Sequence, residues 1–369
     1  MGFRLEKRLE PSRALNYLVP VVSIFMALIV SGFVLWLVNV NPFEAYGQMV
    51  KEAFGSAYGF NEVLVKATPL ILCGLGVMLA FKMLFWNIGA EGQLHMGAWA
   101  ATAVVLTGWD GSPWLMIPTM VVAGMLGGAV WGMIPAILKL KLNCNEIITT
   151  LLMNYIAIYW VQHFVYGPWK DPVSFGFPMT KQFPEGAQLL RFSDIGLAWF
   201  DGTRVHLGFI FAILAVILLY LVQEKSRWGY EVAVAGGNPR AATYAGMNAG
   251  RNILIVMCIS GGLAGLAGMS EVCGIQLKLV KDISPHAAPY GYTAIIIAWL
   301  ARRNPWGVLL VSLLMGGLYV GGETVQITMK IPVNIVLVIQ ALILFFVLGG
   351  DVLIGYRLRH DRKGASDGP

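Results

Sequence analysis

Apolar stretches close to the thickness of a bilayer core recur along this chain, near residues 17–38, 64–86, 90–109, 114–138, 147–167, 207–223, 252–274, 287–301, 305–322 and 331–350. A hydrocarbon core about 30 Å thick takes roughly 20 apolar residues of helix to cross. No water is present there to satisfy backbone N–H and C=O groups, so a chain of this pattern crosses as helices. The expected architecture is all-α, a polytopic membrane protein with about ten transmembrane helices. The stretch at 287–301 would make only about 22 Å of helix at 1.5 Å per residue, so it is expected to be broken or partly buried. Composition agrees: 57% of the 369 residues are hydrophobic and 12% are charged, against roughly 25% charged in soluble domains.

Charge sets the expected orientation. Arg4, Lys7, Arg8 and Arg13, then Lys82, Lys139 and Lys141, Lys225 to Arg251, Arg302 and Arg303, and Arg357 to Lys363 fall in alternate connections. Glu44, Glu52 and Glu62 lie in the first opposite one. The positive-inside rule then places both termini in the cytoplasm and 168–206 in an extracytoplasmic loop. The net charge of +6 is thereby a topology signal and implies no nucleic-acid partner. Residues 17–38 are too long for a secretory core and read as a retained first helix. The four cysteines and five histidines show no metal-ligand spacing, and no cofactor is expected.

Asn87-Ile88-Gly89-Ala90-Glu91-Gly92-Gln93 interrupts two apolar stretches. A charge at the helix centre in lipid costs about 2.5–3.5 kcal/mol on insertion scales, and it usually faces a cavity or protein interior. Two glycines weaken the helix there. Asn87, Glu91 and Gln93 are therefore expected at a helix break bordering a translocation path. The competing reading is a solvated cytoplasmic turn. Asn154 is deep enough to meet a polar solute, or to make an interhelical hydrogen bond. Glu271, Tyr290 and Tyr292, with Gln276 and Glu323, fall at the outer ends of late spans, where they could receive solute. For the tyrosines an interfacial belt is the alternative. The small-residue faces 124/128/132, 260/264/268 and 317/321 are expected to pack within the chain.

The cytoplasmic loop 224–251 carries a short capped helix. Asn238 is a good N-cap, Pro239 a favoured first residue, 240–245 the helix and Gly246 its stop. With nothing of its own to pack on, so short a helix should dock on a partner. The chain has no Gly-Lys dipeptide, hence no phosphate-binding loop of the form G-x4-G-K-[ST]. ATP hydrolysis would then come from a separate subunit.

Residues 87–93, Asn145–Tyr155, Gly167–Pro172, Gly237–Gly246 and Ser260–Gly268 together resemble the permease subunits of bacterial nucleoside and simple-sugar ABC importers, relatives of the ribose and branched-chain amino acid permeases. The resemblance runs from about residue 60 to 350. It implies a non-catalytic permease domain over 1–369 in the bacterial inner membrane, passing nucleosides or related small polar solutes. It also implies a second, shorter homologous permease, ATPase subunits contacted through Asn238, Pro239, Arg240, Ala241 and Ala242, and an extracytoplasmic binding protein. Bulky Trp299 departs from the smaller residues of many relatives and would narrow any path it lines. An ion-coupled secondary transporter with Glu91 as its ion site is the alternative; it has no use for a capped docking helix.

Overall fold

A computed structural model describes residues 2–7, 13–107, 112–196, 198–285, 289–332 and 334–361. Helices dominate, as the apolar pattern requires. The addition is a two-stranded antiparallel ribbon, β1 (Gly2–Lys7) with β2 (Tyr356–Asp361). The chain forms two compact units, residues 1–48 with 325–369, and residues 49–324.

In the first unit α1 (Arg13–Leu37) packs along α13 (Asn334–Gly355). Gly350 lets the two approach: a Cβ there would run into Ser23 Oγ and lie 2.8 Å from Val19. The other face of α1 exposes Phe25, Phe33 and Trp36, side chains suited to lipid. Asn39, at φ 60°, ends α1, and the chain bends by 115° into α2 (Pro42–Phe54). The Tyr46 hydroxyl fastens the bend by donating to Leu28 O at 2.8 Å. The charges of Pro42–Phe54, Glu44, Lys51 and Glu52, mark it in the sequence as a connection, and the structure makes it a helix.

The second unit holds α3 (Ala57–Lys82), α4 (Ala90–Leu106), α5 (Pro113–Leu142), α6 (Glu146–Tyr166), α7 (Gly208–Lys225), α8 (Arg227–Gly237), α9 (Pro239–Tyr244), α10 (Ala249–Glu271), α11 (Tyr290–Leu300) and α12 (Pro305–Thr328). Among the described residues five helices, α3, α5, α7, α10 and α12, are long and apolar enough to cross a membrane, or six if α1 and α2 make one broken span. The chain is a multi-pass membrane protein. α3 is apolar on every side and accordingly buried over nearly its whole length. The stretch expected to be broken is α11, only 11 residues long.

α10 lies between α4 and α5 at backbone contact. In lipid, close packing rather than water exclusion drives helices together, and small residues permit it. A Cβ on Gly265 would strike Gly124 O and sit 3.0 Å from Gly128 Cα, and one on Gly97 would strike Gly265 itself. Gly268 meets Leu94 O on the α4 side. The stripes 124/128/132 and 260/264/268 thus pack against helices of their own chain. Three residues from Gly265, Gly262 has no atom nearer than 3.5 Å to an added Cβ. Gly262→Ala should hold or raise thermal stability in detergent, by up to about 1 kcal/mol from helix propensity. Gly265→Ala should cost about 1–3 kcal/mol through overpacking. Equal melting temperatures for the two variants would contradict this seam.

Candidate functional site

α3 stops at Lys82, and residues 83–89 cross to α4 without helical hydrogen bonding, with Leu84 at φ 55°. Every polar group freed by such a break must be paired inside the protein. Asn87 and Gln93 form a reciprocal amide pair, each Nδ2 or Nε2 donating to the other's oxygen at 3.1 Å. Asn87 Nδ2 also donates to Ser260 Oγ at 3.0 Å, and its Oδ1 accepts from Gly89 N at 3.0 Å. From α6, Thr150 Oγ1 accepts from Ile88 N at 3.2 Å. One turn on, Asn154 Oδ1 accepts from Gly92 N at 2.8 Å while its Nδ2 donates to Ile88 O at 2.8 Å and to the Tyr292 hydroxyl at 3.3 Å. Asn154 is fully buried and makes the interhelical hydrogen bonds weighed for it in the sequence.

Glu91 is 2% exposed, which removes the solvated turn. It sits in the first turn of α4, and its Oε2 accepts from Gly291 N at 2.8 Å in the first turn of α11. One carboxylate therefore serves two helix N-termini, where unpaired N–H groups and the helix dipoles favour negative charge. Gly291 is required: a Cβ there would overlap Glu91 N and lie 2.5 Å from Glu91 Cα. His95 Nδ1 donates to the Glu91 carbonyl at 2.8 Å and lies 3.5 Å from Oε1. A carbonyl only accepts, so the proton is on Nδ1.

Asn87, Glu91, Gln93, Asn154 and Tyr292 thus form one cluster. Tyr290 and Glu271 belong to a second. Tyr290 is 2% exposed, its ring 6.0 Å from Tyr319, so it lies among the helices rather than in an interfacial belt. Glu271, at the end of α10, is 7% exposed. Two ion pairs flank this second cluster, Lys66–Glu323 at 2.7 Å and a forked pair from Arg204 to Glu62. Glu146 pairs with Lys139 at 2.9 Å. Trp299 stacks on Trp86 with centroids 5.5 Å apart and meets Phe81 edge-on at 6.0 Å, so its bulk is absorbed by neighbours. Ser260, Thr150, Gly291 and Tyr319 were not singled out as partners in the sequence; only the four-residue spacing of Thr150 and Asn154 hinted at one.

The 168–206 connection is fastened to the chain after α10. Thr180 N donates to Leu279 O at 3.0 Å, Phe183 N to Leu277 O at 2.8 Å and Leu189 N to Cys273 O at 2.9 Å. A π turn over Val272–Gln276 widens the helix end they meet. His206 plugs it: the imidazole fills the space over Gly208 and Gly274, and its Nδ1 accepts from Gly208 N at 3.1 Å. Burial first, and the Arg191 charge second, push His206 down to about 4.

On the opposite connection α9 is capped as expected. Asn238 Oδ1 accepts from Ala241 N at 3.1 Å, and Gly246, at φ 74°, ends it. One expectation is corrected. α9 does pack on its own chain, against α8 and α10, with Ala242 fully buried. α8, itself capped by Ser226, was not foreseen. Pro239, Arg240 and Ala241 stay exposed, and Pro239, Arg240, Thr243 and Tyr244 line a shallow groove.

Two outcomes follow from these geometries. Glu91→Gln keeps an acceptor for Gly291 N, whereas Glu91→Ala leaves that buried donor orphaned at about 1–3 kcal/mol. Melting in detergent should order wild type, Gln, then Ala; Ala equal to wild type would sink the assignment. For His206 the folded value is depressed below the unfolded value of about 6.5, so the unfolded chain binds the extra proton. Its contribution is complete above pH 6.5 and is lost as pH falls toward 4. Between those pH values wild type should lose melting temperature more steeply than His206→Gln; parallel curves would refute the buried neutral imidazole.

Residues 59–348 match the model of the family described as branched-chain amino acid transport system / permease component. The glucose ABC transporter permease protein TsgB13 of Haloferax volcanii is 37% identical, over 99% of this chain and 97% of its own. The guanosine ABC transporter permease protein NupP of Bacillus subtilis is 32% identical over 96% and 99%. The nucleoside ABC transporter permease protein NupB of Lactococcus lactis is 30% identical over 89% and 90%. A second, less similar permease from each of these organisms matches 69% of this chain at 26%, 25% and 28% identity. With a match that spans all of α3 to α12 and relatives similar from end to end, the chain belongs to the branched-chain amino acid transport system permease family, as an ABC transporter permease subunit.

Proposed function

We propose that this subunit forms the membrane passage of an ATP-binding-cassette importer for nucleosides or related small polar solutes, in a bacterial cytoplasmic membrane. The subunit itself is non-catalytic; a separate chain hydrolyses ATP. Two relatives named for nucleoside or guanosine transport and one for glucose support a solute with a hydroxylated ring. The passage is bordered by the cluster at Asn87, Glu91, Gln93, Asn154 and Tyr292, with Tyr290 and Glu271 toward its outer end. The whole of 1–369 acts as one permease domain with ten spans and both termini in the cytoplasm. The pairing of β1 with β2 supports this, because an antiparallel ribbon of the two termini needs an even number of crossings.

The observation that carries the coupling assignment is α9, a capped helix that buries Ala242 and leaves Pro239, Arg240 and Ala241 facing outward. We assign it to the ATPase, with Arg240 placed to pair with a carboxylate. An ion-coupled transporter would have no use for it. The second permease in each relative's organism supports a heterodimer with a shorter homologue. An external binding protein would deliver solute near the 168–206 loop. ATP-driven closure of the partner subunits would then shift the pair between outward- and inward-open states.

In proteoliposomes carrying the assembled transporter, vanadate should abolish uptake. Ala241→Glu should leave membrane insertion intact while reducing uptake at least tenfold, through lost assembly or uncoupled hydrolysis. Wild-type uptake and ATPase stimulation in that variant would remove α9 from the coupling surface. Introduced cysteines at 175–195 should label from outside and those at 227–245 should not; the reverse would invert the topology.

A further inference from the structure

The outward face of α6 turns from apolar, with exposed Ile148 and Leu152 in its first half, to aromatic and polar in its second. At 100° per residue, Tyr155, Tyr159, His163 and Tyr166 fall within about 80° of arc, and all four are exposed on the subunit surface. Tyr155 is 51% and Tyr159 65% exposed, and neither hydroxyl has a hydrogen-bond partner among the described residues. The opposite side of α6 buries Thr150, Asn154, Ala157, Val161 and Val165.

Tyrosines at a membrane–water interface are ordinary, and that accounts for Tyr166 at the helix end. It does not account for Tyr155. On the ten-span topology proposed above α6 is a span, and Tyr155, eleven residues or about 16 Å from Tyr166 along the helix axis, then lies near the middle of a core about 30 Å thick. A phenol facing acyl chains there would lose its hydrogen bonds to water with nothing in return. Tyr292, whose hydroxyl accepts from Asn154, the residue next to Tyr155, is half-buried behind this face.

We propose that Tyr155, Tyr159 and His163 face the water-filled passage and form a stacking ladder along which a nucleobase moves. The idea rests on the importer reading and narrows its substrate class. The amides and carboxylate of the inner cluster are engaged within the chain: Asn87 with Gln93, Asn154 with Gly92 and Ile88, Glu91 with Gly291. What α6 leaves for a solute is aromatic faces with hydroxyls at their edges. Every base has a π face, so stacking tolerates many bases. Repeated weak sites of one kind let a solute step along rather than stop.

The test uses the assembled transporter with Cys73, Cys144, Cys258 and Cys273 replaced by serine or alanine. Single cysteines are placed at 155, 159 and 163, and at two apolar exposed controls on α5, Val122 and Leu126. A charged, membrane-impermeant thiol reagent should modify 155, 159 and 163 at least tenfold faster than the controls, and uridine should slow that reaction. Tyr155→Leu/Tyr159→Leu should raise KM for uridine at least tenfold while the variant still assembles with its ATPase. Modification rates at 155 and 159 equal to the controls, or none at all, would place the stripe against lipid or a sealed partner surface and overturn the proposal. Protection by glucose but not by uridine would overturn the nucleobase ladder while leaving the importer reading intact. Failure of that reading would show separately, as vanadate-insensitive uptake by the unmodified transporter.

Discussion

A helix that breaks inside a protein frees backbone donors and acceptors that no water reaches, and each buried one left unpaired costs about 1–3 kcal/mol. The arrangement around residues 83–89 follows from that constraint. Asn87 folds back on its own segment, Thr150 and Asn154 reach in from α6, Ser260 from α10, and Gly291 supplies a backbone donor from α11. With Gln93 of α4 paired to Asn87, three helices (α4, α6 and α10) are held to one short stretch of irregular chain, and α11 is tied to the first turn of α4 beside it through Glu91. The orientation of the Asn87 amide is fixed as well. Turned by 180° it would set N–H against N–H and oxygen against oxygen in the Gln93 pair, and it would strand the N–H of Gly89, which needs Oδ1.

Packing and electrostatics reinforce this frame by different means. The glycines at 97, 124, 128, 265 and 268 bring α4, α5 and α10 to backbone contact, so the helices that carry Gln93 and Ser260 have little freedom to slide. Glu91 works through field rather than fit. It lies where the first turns of α4 and α11 meet, and both ends favour an anion. The cluster at Tyr290 and Glu271 is held in a third way, by ion pairs from Lys66 and Arg204 and by main-chain bonds between the 168–206 connection and the π turn that closes α10.

Features whose causes are local were legible in the sequence. Asn238, Pro239 and Gly246 announce α9 because caps and stops act within a few residues. The polar run at 87–93 announces a break because its cost in lipid does not depend on where it folds. α2 and α8 escaped notice for the opposite reason. Pro42–Phe54 mixes Glu44, Lys51 and Glu52 with apolar residues, and Arg227–Gly237 is rich in glycine and valine, so neither carries a span-like run. The partners in the cluster were out of reach. Gly291 lies 200 residues from Glu91, and the pair is joined through a backbone N–H that no residue type advertises. Tyr290 reads as an interfacial tyrosine by composition, and only the neighbouring helices bury it.

The identity of the Glu91 partner also bears on the genetics of this subunit. Asn87 and Gln93 are a pair of side chains, so damage to one is open to repair by an altered side chain at the other. The donor to Glu91 is main chain, present with any residue but proline at 291, and the space beside it admits only glycine. No substitution at position 291 can supply what a lost carboxylate took away. Suppressors of Glu91 defects should therefore be sought among true revertants or in chains that reshape the first turn of α4, and a reciprocal pair of compensating residues at 91 and 291 has no physical basis.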